Sequence, residues 1–190
     1  MKKLITIISA FLFLSAFTTL NSDWKNDKPH SQLGFTITHL GISEISGTFN
    51  DFDVNINSSK PDFSDAVVEL TANVASIDTR VEARNNHLKT ADFFDAEKFP
   101  TLDFKSTSIK KAGKNKYKIT GNLTMHGVTK SVTMDMQYKG SVVNPMSKKQ
   151  TQGFQVTGII KRSDFSLGNG FPAPMLSDDV RIKADGEFIQ

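Results

Sequence analysis

The chain has 190 residues and no cysteine, which excludes disulfides, thiol chemistry and a lipid anchor on an N-terminal cysteine. Its 23 Lys and Arg residues nearly balance its 20 Asp and Glu residues, and the two signs are interspersed. No basic block with interleaved aromatic residues occurs, so the composition argues against nucleic acid as a partner.

The first 22 residues have the layout of a secretory signal peptide. A short basic start at Met1, Lys2 and Lys3 precedes an apolar run over residues 4–17. This run is too short to cross a bilayer comfortably, which takes about 20 residues. The sequence therefore predicts a leader over 1–22, with its cleavage site open, and one mature domain over 23–190. We expect a periplasmic or secreted protein without stable membrane insertion.

Apolar and polar residues alternate in eight stretches, and a period of two is typical of strands with one buried face. The first four predicted strands are less regular and cover residues 33–38, 45–56, 66–74 and 101–108. The last four are the clearest and cover residues 116–125, 131–139, 154–160 and 180–188. Turn signals separate many of these strands, as at His126-Gly127.

One segment has a different pattern. Residues 79–96 lack alternation, contain good helix formers and place Val81, Arg84 and Leu88 near helical spacing, so we predict a short helix that stops before Pro100. Eight amphipathic strands with one short helix must bury their apolar faces against one another in a sandwich or a barrel. Closure removes exposed sheet edges, so we predict an all-β fold, an eight-stranded antiparallel barrel with one short helix.

Small residues on the predicted inner faces have two explanations, and both stay open. The residues are Gly121, Gly158, Gly186, Ala72 and Ala184. They would leave space, and an eight-stranded barrel is wide enough to hold one small ligand. Alternatively, inward glycines only let the strands bend sharply.

The larger side chains on the inner faces are the candidates for contact with an apolar ligand. They are Phe35, Ile37, Leu70, Phe104, Ile119, Leu123, Met134, Met136, Phe154, Val156 and Ile160. Methionine suits an adaptable pocket, although ordinary core packing explains inward methionines equally well.

Three polar residues continue these faces toward the barrel ends. His39 follows Ile37, where a structural hydrogen bond competes with ligand contact. Arg162 and Asp164 follow Ile160. A guanidinium at the mouth of an apolar tube could hold a phosphate or carboxylate head group, and an Arg162–Asp164 ion pair closing the barrel end is an equal alternative.

No motif predicts a metal, a cofactor or a catalytic residue. The histidines His30, His39, His87 and His126 are widely spaced, without H-x-H or H-E-x-x-H pairs, and no G-x-S-x-G elbow is present. The charged residues over 78–84 are interpreted as solvated ion pairs at the start of the helix.

Several motifs, in order along residues 24–189, resemble the YceI-like family. They are the run from His30 to Phe35 with Thr38-His39-Leu40-Gly41, then Gly47-Thr48-Phe49, Ser76-Ile77-Asp78-Thr79, the run from His87 to Asp95, Phe99-Pro100, the run from Gly121 to Lys130, and Arg162-Ser163-Asp164-Phe165. The resemblance implies a lipocalin-like barrel whose hydrophobic pore accommodates a long isoprenoid or similar amphiphile. It also implies a periplasmic or secreted protein without established catalytic residues.

We therefore predict a binding protein, not an enzyme, that transports or stores a polyisoprenoid or an isoprenoid quinone in the barrel. The alternatives are a structural or stress-response module without bound lipid and, less favoured, a lipid-modifying enzyme. Exposed polar strand faces allow a monomer and a symmetric homodimer equally.

Overall fold

A computed structural model describes residues 22–190, so nearly all of the predicted leader lies outside the described residues. Ten strands are present: β1 (Ser22–His39), β2 (Ser43–Phe49), β3 (Phe52–Ser58), β4 (Val67–Asn73), β5 (Ile77–Asp78), β6 (Thr101–Gly113), β7 (Lys116–Met125), β8 (Val128–Val143), β9 (Gln150–Lys161) and β10 (Leu176–Ile189). One α-helix occurs in this range, α1 (Glu82–Leu88), and it lies inside the predicted helical segment. Within the described residues, no helix is both long and apolar enough to span a membrane.

The strands form one antiparallel sheet that closes on itself. The order runs from β10 through β9, β8, β7, β6, β4 and β3 to β1, and β1 pairs back to β10. Strands β2 and β3 both pair with β1, so together they form one interrupted strand of the barrel. Strand β4 pairs with β3 and β5 pairs with β2, so β4 and β5 form a second interrupted strand. Eight strands therefore circle the axis, and the predicted fold class is confirmed.

Irregularities explain where the predicted strand boundaries were wrong. The predicted strand over 45–56 is broken by a bend at Asn50 and Asp51, which moves the buried positions from odd-numbered to even-numbered residues. Strand β1 begins well before residue 33, but a bulge between Asn26 and Ser31 interrupts its alternation. The period of two is lost at both places, so the sequence revealed neither the break between β2 and β3 nor the first part of β1.

The β7–β8 turn is the one that its residues predict. His126 and Gly127 both have positive φ, at 53° and 73°, as a two-residue type I′ hairpin requires. A Cβ atom at Gly127 would also lie 2.5 Å from the Phe99 ring. Glycine is therefore needed here both for its conformation and for the close approach of Phe99.

The two ends of the barrel have different covers. At one end, the loop between β3 and β4 folds inward. At the other end lie α1, the segment over residues 89–100, a 3-10 helix (Arg162–Phe165) and the loop over residues 166–175. A hydrogen bond from the backbone N–H of Gly168 to the carbonyl of Asp92, at 3.0 Å, joins the last loop to the segment after α1.

The inward glycines do not leave empty space in the barrel. A Cβ atom would lie 2.4 Å from the Phe104 ring at Gly121, 2.5 Å from Met134 at Gly158 and 2.6 Å from the Ser31 hydroxyl at Gly186. Neighbouring side chains therefore occupy the space that a Cβ atom would need at these positions. This arrangement differs from the prediction that the glycines themselves create a cavity.

Candidate functional site

The inner faces of the barrel enclose an apolar cavity of about 500 Å³. Its wall is built by side chains that point inward at alternate positions of the strands. The residues of the predicted ligand-contact set that line it are Phe35, Ile37, His39, Leu70, Phe104, Ile119, Leu123, Met134, Met136, Phe154, Val156, Ile160 and Arg162. Contact of these side chains with a ligand stays a prediction.

Asp164 is placed differently from the prediction. The alternation of β9 ends at Lys161, because the chain turns into the 3-10 helix Arg162–Phe165. Asp164 is consequently exposed and does not line the cavity. It also forms no ion pair with Arg162, so the alternative explanation of a salt bridge closing the barrel end was wrong as well.

Arg162 has a different role from either prediction. Its side chain is buried, and its guanidinium donates five hydrogen bonds to backbone carbonyls. The acceptors are Leu167 at 2.8 Å, Gly168 at 2.7 Å, Phe171 at 2.6 Å, Leu176 at 3.3 Å and Ser177 at 3.0 Å. All donors of the side chain are occupied, since arginine has five. Arg162 therefore holds the loop before β10 and has no donor left for a ligand head group.

Aromatic packing closes the end of the cavity at the β3–β4 loop. Phe63 of that loop is buried and lies with its ring centroid 6.2 Å from Trp24, 5.6 Å from Tyr138 and 4.9 Å from Phe154. Tyr117 donates a hydrogen bond of 2.7 Å from its hydroxyl to the carbonyl of Asp62. We call Trp24, Phe63, Tyr117, Tyr138 and Phe154 the aromatic plug.

A carboxylate fixes the loop that carries Phe63. Asp65 accepts hydrogen bonds from the hydroxyls of Ser58, at 2.6 Å, and Ser59. It also accepts bonds of 3.2 Å from the backbone N–H groups of Ser59 and Lys60. These donors stabilise the charged carboxylate, so the hydroxyls of Ser58 and then Ser59 hold the pKa of Asp65 far below its usual range.

The opposite end of the cavity reaches solvent. His87 of α1 and Met175 of the loop before β10 both line the cavity and are exposed, so an opening lies at this end. His39, the last residue of β1, lines the same end and is half-buried. Its imidazole has no hydrogen-bond partner in the part of the chain that the structure describes. The structural hydrogen bond considered for His39 is thus not formed.

Arg84 is a cavity residue that the sequence reasoning missed. Its Nε donates to the Thr79 hydroxyl at 2.8 Å, and its Nη2 donates to the Thr79 carbonyl at 2.7 Å. The Thr79 side chain is almost fully buried and is itself held by Asn85, whose Oδ1 accepts bonds from the backbone N–H and the hydroxyl of Thr79. Arg84 is not one of the solvated ion pairs expected from the sequence.

The signal for Arg84 was present in the sequence. Arg84 and Leu88 are four residues apart, which places them on one face of α1, and both line the cavity. Other lining residues were not among the predicted ligand contacts. Some lie in loops without periodicity, and others were placed on a predicted inner face of a strand but not proposed to contact a ligand. They include Phe93, Phe94, Leu167, Phe171, Val180, Ile182 and Ala184.

One group of potential metal ligands occurs within residues 22–190, and it lies apart from the cavity. Asp27, His30 and Glu187 place one ligand atom each within 4.8 Å of one another. His30 Nδ1 lies 2.9 Å from Asp27 Oδ2, and this hydrogen bond raises the pKa of His30. Because the carboxylate stabilises the protonated imidazole, an ion pair explains the group without a metal.

The closed antiparallel sheet and its apolar cavity define a lipocalin-like β-barrel protein. The sequence matches the YceI-like domain over residues 24–188, and the chain belongs to this family. A relative is Protein YceI of Escherichia coli O157:H7, which is 36% identical over 187 residues, covering 97% of each protein.

Solved structures share the barrel. BcnA of Burkholderia cenocepacia is similar with a TM-score of 0.77 and 28% identity, over 85% of this chain and 98% of that chain. A polyisoprenoid binding domain from Saccharophagus degradans, implicated in plant cell wall breakdown, has a TM-score of 0.66 over 87% of this chain and 97% of that chain. At 14% identity, the second likeness shows the fold alone.

Proposed function

We propose that this protein binds a polyisoprenoid or an isoprenoid quinone in its barrel and transports or stores it outside the cytoplasm. The observation that carries the proposal is the apolar cavity of about 500 Å³, which lies within the usual size range of ligand pockets. Membership of the YceI-like family and the barrel shared with a polyisoprenoid binding domain support the choice of ligand. The predicted leader supports the location.

The physical chemistry of the cavity favours binding over catalysis. Burying a methylene group contributes roughly 0.8 kcal/mol, so a long isoprenoid tail offers a large driving force before the costs of ordering it are subtracted. Most of the wall consists of Phe, Leu, Ile, Val and Met side chains, which supply neither an acid nor a base, and the lining histidines His39 and His87 lie at the open end. The wall also discriminates poorly between tails, so tube length and head-group contacts should decide which ligand is held.

Native mass spectrometry of the mature protein, purified from its own host, tests the proposal. We expect a complex with one long-chain amphiphile, which solvent extraction releases unchanged for identification. Trp introduced at Ala184, a small residue of the cavity wall, should fill the lumen and reduce the bound fraction several-fold. Trp at the neighbouring exposed Lys183 is the matched control, because successive strand residues point to opposite faces.

Three outcomes would argue against the proposal. A protein that emerges empty, and stays empty when offered polyprenyl lipids and quinones, would favour the structural or stress-response module. Chemical change of an offered lipid over time would favour the enzyme. Equal loss of ligand in Ala184→Trp and Lys183→Trp would place the ligand outside the lumen.

A further inference from the structure

Two arginines border the apolar cavity, and they differ in how their donors are used. The guanidinium of Arg162 is saturated by five backbone carbonyls. Within residues 22–190, the guanidinium of Arg84 donates only from Nε and Nη2, and both donate to Thr79. Arg84 therefore retains donors that the fold does not consume.

The unused Nη1 group of Arg84 is accessible. It has no hydrogen-bond partner between residues 22 and 190, and no buried side-chain nitrogen or oxygen in that range lacks one. Nη1 must then face the cavity, into which Arg84 projects, or the solvent at its mouth. A donor in this position can bind an incoming group without breaking a contact of the folded protein.

The positive charge of Arg84 is also unpaired. Of the nearest acids along the chain, Glu82 is exposed and forms no ion pair within residues 22–190, while Asp78 accepts bonds from the backbone N–H of Arg80, at 2.7 Å, and from Asn85, at 3.0 Å. Asp92 lies 2.9 Å from His87. Among the described residues, no carboxylate oxygen lies within 4 Å of a nitrogen of Arg84, so no ion pair within this range neutralises its charge.

From these contacts we infer that Arg84 is a head-group site at the mouth of the cavity for the anionic phosphate or carboxylate of an amphiphile. The inference rests on the proposed function, because it assigns the tail of the same ligand to the lumen. Thr79 holds the guanidinium in place by two bonds, so little further ordering is needed on binding. His39 and His87 line the same end of the cavity.

Arginine suits this task because its planar guanidinium forms short, charge-assisted hydrogen bonds with phosphate and carboxylate oxygens. The apolar surroundings strengthen the attraction compared with bulk water. A neutral alcohol or quinone head accepts only an ordinary hydrogen bond from the same group. The structure thus favours an anionic ligand over a neutral one with an identical tail.

Titration calorimetry tests the inference with three ligands that share one tail and differ in head group. They are geranylgeranyl phosphate, geranylgeranoic acid and geranylgeraniol. We expect the unaltered protein to bind one or both anions at least about tenfold more tightly than the alcohol. Arg84→Met should remove most of this preference, because it weakens binding of the anions far more than binding of the alcohol, which loses only one ordinary hydrogen bond. Comparing phosphate with carboxylate shows which anion the site accepts.

Arg181→Met is the matched control, since Arg181 lies on β10, is exposed and pairs with Glu44. It should leave all three affinities unchanged. Arg84→Lys retains the charge and should keep part of the preference. If Arg84→Met does not fold, the inference is tested by the preference for anions over the alcohol in the unaltered protein and by the reduced preference in Arg84→Lys.

The inference is overturned if the unaltered protein does not prefer an anion, or if Arg84→Met retains the preference. Binding of geranylgeraniol separates this failure from failure of the proposed function. A protein that binds the alcohol as tightly as the anions still fits the proposed carrier function. A protein that binds none of the three ligands contradicts both the head-group site and the carrier function.

Discussion

The two ends of the barrel are closed by different kinds of interaction. The aromatic plug fills its end with ring-to-ring packing, and its loop is pinned by Asp65. At the mouth, the covering segments also pack through aromatic rings, as in the Phe93–Phe171 stack, but they add polar contacts in which Arg162 donates to backbone carbonyls and Arg84 to Thr79. One end is sealed by aromatic side chains, and the other combines aromatic packing with arginine hydrogen bonds around an opening.

This difference separates the fixed part of the fold from the part that can admit a ligand. Aromatic packing is lost only when apolar surface is exposed to water, which costs roughly 25 cal/mol for each Å². The half-buried Arg84 can exchange its hydrogen bonds for bonds to water at a smaller net cost, whereas the buried Arg162 keeps the loop before β10 in place. We therefore expect a ligand to enter and leave at the mouth, while the aromatic plug sets the length of the tail.

Removing the guanidinium of Arg162 should have the largest effect on stability. In Arg162→Met, five backbone carbonyls lose their donor, and we expect the free energy of unfolding to fall by about 4 kcal/mol. Urea denaturation followed by the fluorescence of the single tryptophan, Trp24, measures this. The exposed Arg181→Met should cost at most about 1 kcal/mol. Equal costs in the two variants would show that the mouth does not depend on Arg162.

The role of Arg162 shows what the sequence could and could not predict. Alternation along β9 correctly predicted that a polar group follows Ile160 at the barrel end. It could not show that the chain turns into a 3-10 helix there, which sends Asp164 outward and surrounds the guanidinium with carbonyls. Those carbonyls come from residues up to 15 positions further along the chain, and local periodicity does not report such contacts.

The regular strands were predictable for the opposite reason. Strand β7 was predicted with its observed bounds, Lys116–Met125, because every second side chain is buried along its length. The prediction of β1 was incomplete because its bulge changes which residues face inward. Most of the cavity wall followed from alternation, whereas Arg84 and the residues in loops required the assembled fold.

Loss of the Phe63 ring should have the second-largest effect on the free energy of unfolding, and it should open the end that the aromatic plug seals. We expect Phe63→Ala to reduce the free energy of unfolding by about 3 kcal/mol, as large-to-small changes at buried aromatic positions do. The gap should also expose Trp24, whose ring centroid lies 6.2 Å from that of Phe63, to acrylamide in the water. Stern–Volmer quenching of Trp24 fluorescence measures this access.

Phe171→Ala is the matched control for the comparison of the two ends. Phe171 stacks on Phe93 at 5.0 Å, near the mouth, and is only half-buried. Its loss should cost less and should leave Trp24 shielded from acrylamide. If both variants expose Trp24, or if neither does, the ring of Phe63 is not what seals the end.

Replacing Asp65 should have the smallest effect on the free energy of unfolding, and this effect should depend on pH. The folded state lowers the pKa of this carboxyl below the unfolded value of about 3.9, so the charged form stabilises the loop. This contribution is fully present above the unfolded pKa and is lost as the pH falls through the lower folded pKa.

Asp65→Asn should therefore be less stable than the unaltered protein at pH 7, and the loss should be smaller than that of Phe63→Ala. Urea unfolding below about pH 3 should show the two proteins converging. A gap that stays constant between neutral and acid pH would mean that the hydrogen bonds of Asp65, rather than its charge, hold the loop under Phe63.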